Sequence, residues 1–189
     1  MNIPDYLPVL SSGGHVSPES GACLMEMIAF LNGEQHSDTP MCVSSVLVPL
    51  GINANDFLSD HNRSALVPLI PDFMNTNDLD AKVLKDRVQQ EVFPEFYNWY
   101  QGDNAKRTFS YLSSCDSKDF LMSDVIFMIS KLYASPEYNK NGQVTEAIAD
   151  EAVLDYVNRV LAIVRDMKPA ETVVDISVGI NHPSQKANV

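Results

Sequence analysis

The chain has 189 residues, with 25 Asp and Glu against 13 Lys and Arg, a net charge of −12 at pH 7. One hydrophobic core is expected at this length, and 45% apolar with 20% charged residues is globular composition rather than that of an acidic disordered tail. The balance disfavours direct nucleic-acid binding, which needs a basic stripe to displace counterions, and it disfavours docking on an anionic membrane.

The charge is unevenly placed. Asp5, Glu19, Glu26, Glu34, Asp38, Asp56 and Asp60 precede Arg63, the first basic residue. Carboxylates without a local counter-cation must be solvated, hydrogen-bonded or paired with a distant group. The opening MNIPDYLPVL lacks the basic start and apolar stretch of a secretory signal. No run approaches the roughly 20 apolar residues of a membrane span. A reducing cytoplasm is therefore expected, with Cys23, Cys42 and Cys115 as free thiols.

Residues 1–14 read as an extended, Pro-rich lead ending in the flexible Ser11-Ser12-Gly13-Gly14. Ser17 as N-cap, Pro18 at the first position and Glu19 beside the dipole predict a helix from there to Gly33. Leu24, Met27, Ile28 and Leu31 form its apolar stripe, widened by Cys23 and Phe30, so this helix is expected to be central. Thr39 and Pro40 predict a second start, with Pro49 and Gly51 kinking or ending that helix before Asn55. Asp60 is the expected cap of a short helix containing Pro68. Pro71-Asp72-Phe73 and the polar residues after it read as a connector.

Residues 78–100 predict a further helix, with Val83, Leu84, Val88 and Val92 on one face and an aromatic piece after Pro94. A short helix follows over 104–112, then one opening near Ser123. The clearest pattern is 145–168, where Thr145 caps and Val153, Tyr156, Val157, Val160, Leu161 and Val164 keep the 3.6-residue period. Beyond Pro169, TVVDISVGI reads as a short C-terminal β-strand without a visible partner, within an extended tail over 169–189. The expected architecture is mainly α: one compact multi-helix domain over 1–168 with Pro-interrupted helices.

Phosphate-binding loops, dinucleotide fingerprints, nucleophile elbows and compact zinc motifs are absent from the sequence. The chemistry-bearing residues concentrate in 15–42. On a helix beginning at Ser17, Glu19, Cys23 and Glu26 share one side, with His15 just before it, which defines one polar cluster. His36, Asp38 and Cys42 form a second set, of types that zinc accepts. Some 15 helical residues, about 23 Å, would keep the two sets apart. The blander reading makes both cysteines small buried hydrophobes, Glu26 an exposed group or an acceptor for loop amides, and His36 and Asp38 loop and cap residues. Phe96, Trp99 and Tyr100 are candidate partner-binding anchors.

The block His15-x-x-Pro18-Glu19-x-Gly21-x-Cys23-x-Met25-Glu26, followed by Gly33-Glu34-x-x-Ser37-Asp38-x-Pro40-x-Cys42, resembles one found in uncharacterised proteins of bacteria and their phages. It spans about residues 10–70. The resemblance implies a recurring helical module and carries no activity, cofactor or partner with it.

The leading expectation is an acidic cytoplasmic, phage-encoded protein that acts by binding another protein as a regulator or host-takeover inhibitor. Its partner is expected to be a protein, including a basic or nucleic-acid-binding one, and homo-oligomerisation stays open. No cofactor is predicted. The alternative is a metal-dependent hydrolase, with zinc held by residues of 15–42 and Glu26 or Glu19 as general base. The third is a structural subunit of a particle.

Overall fold

The computed structural model describes residues 9–17, 20–92, 123–134 and 144–169, and these are mainly helical. In chain order the elements are α1 (Leu24–Leu31), α2 (Val48–Phe57), α3 (Asp60–Arg63), a 3-10 segment (Ser64–Leu69) and α4 (Ile70–Phe73). Then come α5 (Ala81–Arg87), which runs into a π-helical turn at Val88–Val92, α6 (Asp124–Ala134) and α7 (Glu146–Met167). Among the described residues no strand forms, and Leu10 and Ala22 make one isolated parallel bridge. No helix among them is long and apolar enough to cross a membrane.

The central element is α7 rather than α1. Its 22 residues span about 33 Å, and it packs against α2, α4, α5, α6, the 3-10 segment and the π turn. Thr145 caps it, with its hydroxyl accepting from the Ile148 N–H. All six side chains expected on its apolar stripe are buried. They join one cluster that runs from Leu10 to Val164.

Helix α1 is shorter than its periodicity implies. It begins at Leu24 because Gly21, at φ +116, turns the chain out of helical geometry, and Cys23 stands as N-cap. Its end agrees with expectation: Asn32 is the C-cap, and Gly33 follows at φ +72. Leu24, Met27 and Ile28 are buried as expected, Met25 joins them, and Phe30 is exposed instead of widening the stripe.

Two prolines begin helices where the sequence reads as ending or interrupting them. Pro49 lies in the first turn of α2 and Pro71 in the first turn of α4. Their missing N–H groups are ones that a first turn leaves unbonded anyway. The Gly51 backbone lies against Met25, the close approach that holds α2 on α1. The Ser59 hydroxyl, rather than capping α3, donates to Asp150 Oδ2 at 2.5 Å, and the Asn62 amide reaches the same oxygen at 2.7 Å. Asp60 is the first residue of α3 and not its cap. Asp80 caps α5, and Leu84, Val88 and Val92 are buried while Val83 is exposed. The helix expected over 104–112, the break at Pro94 and the C-terminal strand lie outside the described residues.

Candidate functional site

The polar cluster forms where the chain before α1 folds back over that helix's N-terminus. Ser11 is held at both backbone groups: its N–H donates to Ala22 O at 3.0 Å, and its carbonyl accepts from the Asn55 side chain at 2.8 Å. Asn55 is buried on α2, and its Oδ1 accepts from the Leu24 N–H at 3.2 Å, so one amide ties the lead segment to α1. Asp56 accepts from the Gly13 N–H at 2.7 Å. Four residues beyond Ser11, the His15 N–H donates to Glu26 Oε1 at 2.8 Å.

Glu26 is the hub. Its side chain is 3% exposed, and Oε2 accepts from the Cys23 N–H at 2.7 Å and from His15 Nδ1 at 2.8 Å. The Cys23 sulfur accepts in return from the Glu26 N–H, a capping box in which cysteine takes the place of serine. Burial pushes the Glu26 carboxyl up, but the N–H groups of His15 and Cys23 and the His15 ring outweigh it, so the group titrates below its ordinary value. The carboxylate is therefore held ionised without a lysine or arginine.

One member of the second set, His36, joins the first. With α1 only eight residues long, about 12 Å, the loop after it returns to the helix start. There His36 Nε2 donates to His15 O at 2.8 Å and lies 3.5 Å from Glu26 Oε1. The expected 23 Å separation assumed a helix starting six residues too early. The carboxylate fixes the proton positions on His15: Nδ1 carries the hydrogen toward Glu26, so in the neutral ring Nε2 accepts. It accepts from the Ser11 hydroxyl, 2.7 Å away.

His36, Asp38 and Cys42 do not come together. His36 faces His15, Asp38 is exposed, and Cys42 lies under the Glu34 carboxylate. Glu34 accepts from the Met41 N–H at 2.7 Å, from the Asn32 amide at 2.7 Å and from the Cys42 N–H at 3.3 Å. These bonds hold its carboxyl below the ordinary range against the opposing effect of burial. Among the described residues, no three of His, Cys, Asp and Glu are disposed to hold a metal ion. Both described cysteines are buried and unpaired. Burial, with Glu26 adding to it, pushes the Cys23 thiol up to about 11, and burial and Glu34 raise Cys42, so neither is a thiolate near neutrality.

Glu19, Phe96, Trp99, Tyr100 and Cys115 lie outside the described residues. Ser11 is the residue that sequence reasoning missed, because Ser-Ser-Gly-Gly reads as a flexible linker. The signal that could have found it is the four-residue step from Ser11 to His15. Arg63, the first cation of the chain, is buried within the α2–α3 corner, where it donates to Asn55 O at 2.7 Å, Leu58 O at 2.8 Å and Asp60 at 2.6 Å. Comparison with protein-family models, with curated proteins and with solved structures finds no match to this chain.

Proposed function

We propose that the protein acts in the cytoplasm by binding another protein through the acidic surface of its first 81 residues, and that the docking surface of the partner is basic. The observation that carries this reading is the fate of the one cation there. Residues 1–81 hold ten carboxylates and a single basic residue, Arg63, and Arg63 spends its donors on internal carbonyls and Asp60. Asp38, Asp56, Asp60, Asp78 and Asp80 are exposed. From the other half of the chain, Arg165 reaches this region to pair with Asp72, and Lys168 donates to the carbonyls of Pro71, Asp72 and Met74.

A surface of one sign steers oppositely charged partners and makes their association salt-dependent. The apolar side chains of Val16 and Met41 stand exposed in the same part of the chain and supply contact area beside the charge. A regulator or host-takeover inhibitor of this kind would act by occupying its partner's basic surface, including one that normally holds nucleic acid.

Affinity capture at low and at high salt tests this, comparing the native chain with an Asp38→Lys/Asp78→Lys variant. The expected result is a basic partner retained at low salt, released at high salt and not captured by the variant. Recovery of no partner at low salt overturns the reading, as does capture indifferent to both salt and variant.

A further inference from the structure

We infer that Ser11, His15 and Glu26 form a nucleophile–base–acid relay, and that Ser11 is an acyl-accepting serine for neutral or cationic carboxylic esters. Three features of the geometry point there. First, the two hydrogen bonds of the relay are in place: Ser11 Oγ to His15 Nε2 at 2.7 Å, and His15 Nδ1 to Glu26 Oε2 at 2.8 Å. This is the order in which a base takes a hydroxyl proton while a carboxylate orients its ring and stabilises the cation that forms. The base–carboxylate pair is largely withdrawn from water, His15 being 11% and Glu26 3% exposed, whereas Ser11 is half-buried and reachable.

Second, the nucleophile is fixed rather than loose. The Ser11 N–H and carbonyl are both bonded, to Ala22 and Asn55, and the His15 backbone is bonded to Glu26 through its N–H and to His36 through its carbonyl. A relay held at every backbone contact is preorganised, which is what distinguishes a reactive serine from a surface hydroxyl.

Third, the surroundings permit the contact and supply donors. A Cβ at position 21 would lie 2.5 Å from Ser11 Oγ and 3.0 Å from His15 Cδ2. Glycine at that position is what allows the hydroxyl and the ring to meet, and it leaves backbone rather than side chain beside the oxygen. Among the described residues the N–H groups of Ser12 and Gly14 have no hydrogen-bond partner. Ser12 follows the nucleophile, the position from which acyl-transfer enzymes commonly supply a donor to the oxyanion. Asp56, Glu26 and the absence of any exposed cation before Lys82 set the sign of the substrate, since an anionic ester would be repelled.

The step balances without any cofactor. As Ser11 Oγ bonds to the ester carbonyl carbon, its proton passes to His15 Nε2. Collapse of the tetrahedral species breaks the carbon–oxygen bond of the leaving alcohol, which departs with that proton. Water, deprotonated by His15, then releases the acid and restores the serine, with nothing oxidised or reduced.

A fluorophosphonate probe, which phosphonylates activated serine hydroxyls, tests the assignment when intact and peptide masses are read after labelling of the native and the urea-unfolded chain. The expected result is one label on Ser11 in the native chain and none after unfolding. Ser11→Ala, which removes one oxygen and is expected to keep the far-UV signal of the native chain, is expected to take no label. His15→Gln is expected to slow labelling by on the order of 10²-fold. Hydrolysis of p-nitrophenyl acetate should fall to the buffer rate in Ser11→Ala, and acetylthiocholine should be cleaved in preference to an anionic acetate ester. Labelling of no serine overturns the inference, as does equal labelling of Ser11 and Ser12 or labelling that survives unfolding. A native chain that hydrolyses the neutral ester no faster than Ser11→Ala also overturns it.

Discussion

Two residues, Glu26 and Gly21, hold the polar cluster together in different ways. Glu26 is a buried carboxylate whose stabilising partners are the N–H groups of His15 and Cys23 and the His15 imidazole, so its removal leaves several donors unsatisfied in a site largely closed to water. Glu26→Ala is expected to lower the unfolding free energy by about 3 kcal/mol, as read from the urea midpoint. Because its folded-state pKa is depressed below the ordinary 4.5, its contribution is complete above that pH and is lost as pH falls through the lower folded value. A urea titration at several pH values should show stability declining below about 4.5, less steeply in Glu26→Gln. Glu34 and Glu91, depressed in the same direction, contribute to the residual slope. Gly21→Ala meets both a backbone at φ +116 and a hydroxyl in the way, and is expected to cost about 2–3 kcal/mol. A shifted His15 imidazole signal in its NMR spectrum would report the broken contact with Ser11.

Helix boundaries show which local signals are decisive. Thr145, Asp80 and Gly33 act as caps or stops as their residue types predict, because a cap is an interaction across three or four residues. Thr145→Ala should cost about 1 kcal/mol, seen as a lower melting temperature with an unchanged fold. The helix expected from Ser17 starts only at Leu24 because Gly21 turns the chain, whereas the reversed sense of Pro49 comes from an ambiguity of residue type. Proline is equally compatible with the end of one helix and the first turn of the next, and local sequence alone does not say which side carries the helix. The capping box of Cys23 and Glu26 was hidden because cysteine is a rare N-cap. The Asp150 link, by contrast, has no local signal at all: Ser59 and Asn62 meet it across about ninety positions of sequence. Asp150→Ala strips the shared acceptor from α3, and faster amide exchange over residues 59–63 is the expected readout.

The molecule as a whole is organised around α7, whose apolar stripe touches most of the other described elements. Leu161→Ala, in the fully buried part of that stripe, is expected to cost about 3 kcal/mol through lost transfer and the cavity left behind. The cost should appear as a lower urea midpoint with little change in slope. The charge map is also a property of the whole chain: Arg165 and Lys168 at the end of α7 return to the α4 corner, so the acidic first half borrows its few cations from the far end of the sequence. The sequence by itself determined the helical class, the last helix with its buried face, the caps that obey local rules and the acidic bias of the first 81 residues. These depend on composition or on neighbours within one turn, so they survive without knowledge of the fold. Only the tertiary structure decided that His36 joins His15, that Asp38 and Cys42 part from it, that backbone amides and the His15 imidazole hold Glu26 ionised, and that Ser11 completes a relay. Those outcomes depend on where the chain reverses at Gly21 and Gly33 and on what Asn55 clamps from another helix, distances set by packing rather than by spacing along the chain.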